Sequence, residues 1–228
     1  MTAPQQQMRN PFSGKVERLP LIVGMDPGEH KGYALIDTED VVERGRLTAP
    51  RAICLATSIE PIQKMLASGA RDARYRPVWS MVELQYTSRI STGEISPESI
   101  VKLAFRAGFM LREAHGLPNA VEMFAAPPAA WKCQIFPSGG TMRKDVFCEK
   151  VRRQLMPQEE AMLAKLEDTH RQDVLDGVAI AWSLWCALTT PDLGLTIEGW
   201  RVWPGHILPK SARAPRKMGK AAREKLGI

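Results

Sequence analysis

Two carboxylates three residues apart, Asp173 and Asp176, stand in the otherwise apolar run "DVLDGVAIAWSLW". Val174, Val178, Ala181, Trp182 and Trp185 recur at helical spacing as an apolar stripe. The two acids therefore project from neighbouring points of one face, at the edge of a buried seam. Gly177 removes a side chain where such a helix would press on a sheet. Asp26 follows a second apolar run, Leu19-Pro20-Leu21-Ile22-Val23, and precedes the turn Pro27-Gly28; Glu83 closes a third, "VWSMVE". Singly these acids have ordinary explanations: a turn former, a strand end, a solvated helix face. Gathered from three elements, four carboxylates repel one another unless cations neutralise them. Mg²⁺ prefers oxygen ligands and keeps waters and substrate phosphates in its remaining positions. Two such ions about 3.5–4 Å apart can activate a water and stabilise the leaving oxygen of a phosphodiester.

The elements that must carry these acids follow from periodicity and punctuation. Strands are expected over 19–26, 32–37 and 41–47, with a turn at Thr38-Glu39-Asp40, as an antiparallel meander. A helix is expected over 51–68, stopped by Gly69, and a buried strand over 78–84. Ser96-Pro97 starts a helix that runs to His115-Gly116, with Ser as N-cap and Pro in the first turn. "NAVEMFA" reads as a strand, 127–136 as a short helix, 137–140 as a loop, 142–155 as a helix and 170–188 as the last long helix. Three meander strands followed by helix–strand alternation imply an α/β domain with a mixed sheet.

With 228 residues the chain is long enough for one large domain with extensions. Residues 1–18 read as a flexible polar leader, 19–190 as the folded domain and 191–228 as an extension. No stretch approaches the roughly 18 apolar residues of a membrane span. Cys54, Cys133, Cys148 and Cys186 form no CxxC pair, and the four histidines lack zinc-ligand spacing, so a reducing cytoplasm is expected. The net charge of +6 sits in the tail, where seven bases (Lys210, Arg213, Arg216, Lys217, Lys220, Arg223, Lys225) face one acid, Glu224. With so few apolar residues, that tail is expected to be disordered and to act either as a solubilising end or as a phosphate-binding arm.

Taken in order, these motifs resemble the RuvC-type Holliday-junction resolvases of the ribonuclease H-like superfamily. "VGMDPGEHKGYALI" is similar to that family's first-strand motif, "MVELQY" to its motif with a glutamate and an aromatic three residues later, and "DVLDGVAIA" to its closing helix. The resemblance spans about 19–188. It implies a mixed five-stranded ribonuclease H-like sheet, a three-strand antiparallel meander plus parallel strands, flanked by helices. It implies that Asp26, Glu83, Asp173 and Asp176 are catalytic metal ligands for Mg²⁺, as two ions that Mn²⁺ can replace, without a nucleotide cofactor. Tyr86 matches the aromatic that wedges into the junction, and Lys132 and Lys144 match lysines near the scissile phosphate; Arg143 stands beside the latter. The implied activity is a crossover-junction endodeoxyribonuclease acting on four-way DNA as a homodimer.

The two-fold symmetry of a junction suits a C2 dimer. The helix after Pro97 is the expected seam, through Ala104, Ala107, Gly108, Met110 and Leu111. Alternatives are a broader flap or fork nuclease, an actin-like or sugar-kinase-like ATPase, and a non-catalytic branched-DNA-binding protein. The ATPase wants a second D-x-G hairpin and an adenosine loop, neither of which the sequence contains. Trp200 and Trp203 are expected to pack on the body, and His170 to cap or lie on the surface unless it orients the attacking water.

Overall fold

The computed structural model describes residues 18–44, 47–84, 96–190 and 199–202. Five strands form one sheet: β1 (Leu21–Asp26), β2 (Gly32–Arg44), β3 (Leu47–Ala56), β4 (Val78–Glu83) and β5 (Ala120–Ala126), in the order β3-β2-β1-β4-β5. The first three are antiparallel neighbours, and β4 and β5 run parallel to β1. This is the mixed five-stranded sheet, a three-strand antiparallel meander plus parallel strands, that the resemblance implies. The helices are α1 (Glu60–Ala67), α2 (Pro97–His115), α3 (Pro128–Ile135), α4 (Lys144–Arg152), α5 (Pro157–Leu163) and α6 (Asp168–Thr189), with short 3₁₀ turns at Ala70–Tyr75 and Gly139–Thr141.

Both faces of the sheet are covered, which is why all six residues of β1 are buried. Leu21, Val23 and Met25 pack under α1 and α2, while Ile22 joins the core beneath α6, α3 and α4. Strand alternation then puts Ile22, Gly24 and Asp26 on one face, and Trp79, Met81 and Glu83 on the same face of β4. Glycine makes the contact with α6 close. A Cβ on Gly24 would fall 2.0 Å from the Gly177 carbonyl, and one on Gly32 would fall 1.9 Å from that of Asp173. The expected role of Gly177 is thus met from both sides, and α6 lies backbone to backbone on β1 and β2.

Several boundaries differ from expectation. Thr38-Glu39-Asp40 is not a turn: β2 continues to Arg44, and the three residues bulge between the pairs Asp37↔Arg51 and Val41↔Pro50. The turn chemistry is nevertheless there, since Asp37 Oδ1 accepts the Glu39 N–H at 3.0 Å. Residues 51–56 are strand, not helix, because they pair with β2 through a register shift at Ile53; the helix begins only at Glu60. The helix expected over 142–155 spans Lys144–Arg152, and α5 was not expected. Past the domain, Val202 N–H donates to Met123 O at 2.7 Å, Arg201 bridges antiparallel to Phe124, and Arg201 pairs with Glu122. Trp200 is buried there, as expected; Trp203 lies outside the described residues.

Among the described residues no helix is long and apolar enough to cross a membrane. All four cysteines are free thiols.

Candidate metal centre

Asp26 leaves the C-terminal end of β1 on the α6 face, and Asp173 and Asp176 leave the first half of α6 one turn apart. One carboxylate oxygen from each lies within 4.8 Å of the others, and all three side chains are buried. The positioning is done by backbone. Gly28 N–H donates to Asp26 Oδ1 at 3.2 Å, and His30 N–H donates to Asp173 Oδ2 at 3.0 Å. Gly28 has no room for a side chain, since a Cβ would sit 2.6 Å from the Asp173 carboxylate. Asp26 Oδ2 is buried with no hydrogen-bond partner.

Glu83 stands beside this group at the end of β4. Its Oε2 accepts the indole N–H of the fully buried Trp131 at 3.1 Å, and its charge acts on Asp26. Burial, with the charges of Glu83 and Asp176 added, raises the Asp26 carboxyl well above the usual carboxylate range. Asp176 is also raised, by burial, against the opposing pull of Lys144 and Lys132.

Lys144 opens α4 and reaches Asp176 Oδ2 at 3.3 Å and Asp173 Oδ1 at 3.5 Å. Burial pulls its ammonium down, but Asp176, Asp26 and Asp173 outweigh that and hold it above the ordinary lysine value. One cation against this many acids leaves a negative surplus. One turn on, the Cys148 thiol lies 3.5 Å from Asp176 Oδ1, and burial, followed by the Asp176 charge, pushes it up to about 12. Cys148 is thus a protonated neighbour rather than a nucleophile.

Lys132 reaches the group only through space. Its Nζ lies 5.0 Å from the Phe147 ring centre and 5.3 Å from that of Trp131, and its charge stabilises the Asp176 carboxylate. Arg143 points to solvent, paired with Asp145 at 2.8 Å. His170 stacks at a tilt on His30, 4.8 Å between ring centres. Tyr86 and the tail bases Lys210, Arg213, Arg216, Lys217 and Lys220 lie outside the described residues. Sequence reasoning missed Trp131 and Cys148. A buried tryptophan needs an acceptor for its N–H, and that was the one signal available for the first.

Three converging carboxylates, one with an orphaned buried oxygen, form the hard-oxygen donor set that suits Mg²⁺ or Mn²⁺. These residues fit a divalent cation. No protein-family model and no curated protein matches the sequence. Among solved structures, the chain aligns with "T. thermophilus RuvC in complex with Holliday junction substrate" at 21% identity and a TM-score of 0.42, over 72% of this chain and 92% of that one.

Proposed function

We propose that this chain is a divalent-metal-dependent endonuclease that cuts branched DNA, Holliday junctions foremost. The observation that carries this reading is the orphaned Asp26 Oδ2 within a cluster of three buried carboxylates that a single lysine leaves under-neutralised. Asp26, Asp173 and Asp176 hold the cation, and Glu83, oriented by Trp131, serves a second one on the same face. A bound Mg²⁺ or Mn²⁺ would supply the Lewis acid for phosphodiester hydrolysis. Lys144, ion-paired at the rim and half-exposed, offers its ammonium to a phosphate oxygen; Lys132 adds positive charge behind it. The Gly28 and His30 N–H groups hold the carboxylates against mutual repulsion. Tyr86 is assigned to the junction's bases, and Arg143 with the tail bases Lys210, Arg213, Arg216, Lys217 and Lys220 to its phosphates.

A second copy of the chain completes the assembly. The seam is again assigned to α2, without two of the five residues expected there. Ala107 and Met110 face the chain's own core, whereas Val101 (67%), Phe105 (77%) and Phe109 (45%) stand exposed one turn apart. An apolar stripe of this kind is unfavourable in water and suits an isologous contact.

The test is cleavage of four-way, three-way, flap and linear duplex DNA with Mg²⁺ or with EDTA. Four-way DNA should be cut in paired nicks with Mg²⁺ only, and Asp173→Asn should bind the junction but lose cleavage by on the order of 10³-fold. Equal cutting of flaps and forks would favour the broader nuclease, and metal-independent binding without any cutting would leave a binding protein.

A further inference from the structure

We infer that Arg106, on α2 and outside the carboxylate cluster, is a positioning residue for the metal centre; the inference rests on the nuclease reading. Its Nη1 donates to the Gly28 carbonyl at 3.1 Å. The same glycine donates its N–H to Asp26 Oδ1 and is pressed against the Asp173 carboxylate. Gly28 is therefore gripped on both sides, by Arg106 through its carbonyl and by Asp26 through its amide.

The grip extends along the turn. Lys31 N–H also donates to Gly28 O at 3.3 Å, which draws Lys31 into the left-handed region at φ 54°. A non-glycine residue there costs free energy and persists only where its surroundings hold it. Those surroundings are α2 again: Lys31 Nζ lies 4.8 Å from the Phe109 ring centre, and Tyr33 O–H donates to Glu113 Oε2 at 2.6 Å. Arg106, Phe109 and Glu113 are spaced i, i+3, i+7, one face of one helix. That face clamps residues 28–33, whose N–H groups in turn aim Asp26 and Asp173. Without the guanidinium, Gly28 O keeps only the strained Lys31 amide, and the turn carrying both carboxylate-holding N–H groups loosens. Arg106 touches neither acid, so it acts on how well they converge and not on their charge.

The experiment uses the full chain and four measurements: Mn²⁺ binding by calorimetry, half-saturating Mn²⁺ for junction cleavage, junction affinity in Ca²⁺, and mass by light scattering. Arg106→Ala should weaken Mn²⁺ binding and raise the half-saturating concentration by about 10–100-fold. Junction affinity, mass and the rate at saturating Mn²⁺ should stay within about twofold of wild type, and Arg106→Lys should recover part of the metal affinity. Should Arg106→Ala fail to fold, the Arg106→Lys comparison carries the same readouts. Lost junction affinity with unchanged Mn²⁺ binding would make Arg106 a phosphate contact and overturn the inference. Unchanged Mn²⁺ binding and cleavage would overturn it alone, leaving the nuclease reading intact. A wild-type chain that binds no Mn²⁺ would overturn both.

Discussion

Glu159 and Asp26 are both buried carboxylates, 0% and 4% exposed, and their surroundings are opposite. Glu159 accepts both ends of the Arg44 guanidinium and the N–H groups of Ala52 and Met156, each at 2.6 Å. Arg44 spends its remaining donors on Gln154 O, Pro50 O and Ala49 O, and its plane lies 4.7 Å from the Trp182 ring centre. Arg76 does the same at the start of β1, binding Asp37 at 2.6 Å, Thr38 and the carbonyls of Leu19 and Pro20. Both clusters lie at the end of the sheet remote from Asp26, since Asp37 pairs with Leu21 while Asp26 pairs with Gly32. Charge in these two clusters is matched donor for donor and serves folding. At the other end three acids share Lys144, and Asp26 keeps an oxygen without a partner. A fold able to saturate Arg44 and Arg76 has left the acids at the other end short of hydrogen-bond donors and cations. That contrast marks the place where a bound cation would restore the stability that the uncompensated acids cost.

The contrast can be broken most forcefully at the saturated end. Glu159→Gln leaves a buried guanidinium without its counter-charge and should cost about 3–5 kcal/mol in urea unfolding. The pair replacement Arg44→Met with Glu159→Leu should return most of that loss, because both charges then leave together. At the acidic end the sign reverses. In EDTA, Asp26→Asn should raise stability by about 1–2 kcal/mol, since it removes a buried like charge, and should abolish the stabilisation that Mg²⁺ gives the wild type.

A smaller effect is a pH slope confined to the metal-free protein. Asp26 and Asp176 have raised carboxyls, so between the usual carboxylate range and their folded values the native state holds more protons than the unfolded chain. Stability in EDTA should therefore fall as pH rises through that window, and Mg²⁺ should flatten the slope. Melting curves taken upward in pH from the usual carboxylate range, with and without Mg²⁺, check both. Smallest of all, Arg143→Ala should leave the melting temperature unchanged, because its pair with Asp145 lies in solvent.

The acidic centre was more legible than the sheet around it. Asp26, Asp173 and Asp176 stand next to apolar runs whose period shows which way they face, and the order of their motifs, through the family it resembles, is what joined them into one site. Glu83 was placed at a strand end for the same reason. The meander was read less well. Ala-rich β3 has only Thr48 and Ile53 as β-branched residues, so its second half was read into the helical pattern that follows, and what makes it a strand is its ladder with β2. The bulge at 38–40 looked like a turn because Asp37 performs a turn's hydrogen bond inside a continuous strand. The seam on α2 was assigned from small residues, whereas tertiary packing had already used Ala107 and Met110. Arg106 had no signature at all, since its target is a backbone carbonyl 78 positions away.

The segment at 199–202 has a consequence for solubility. β5 is one of the two edge strands, and Val121 on it is 56% exposed, so an uncovered border there would invite pairing with a stray strand of another molecule. By seating Trp200 and Val202 in the two cores and pairing Arg201 with Glu122, the chain closes that border with its own backbone. A truncation before Gly199 would therefore be expected to yield a protein that folds and then self-associates through β5.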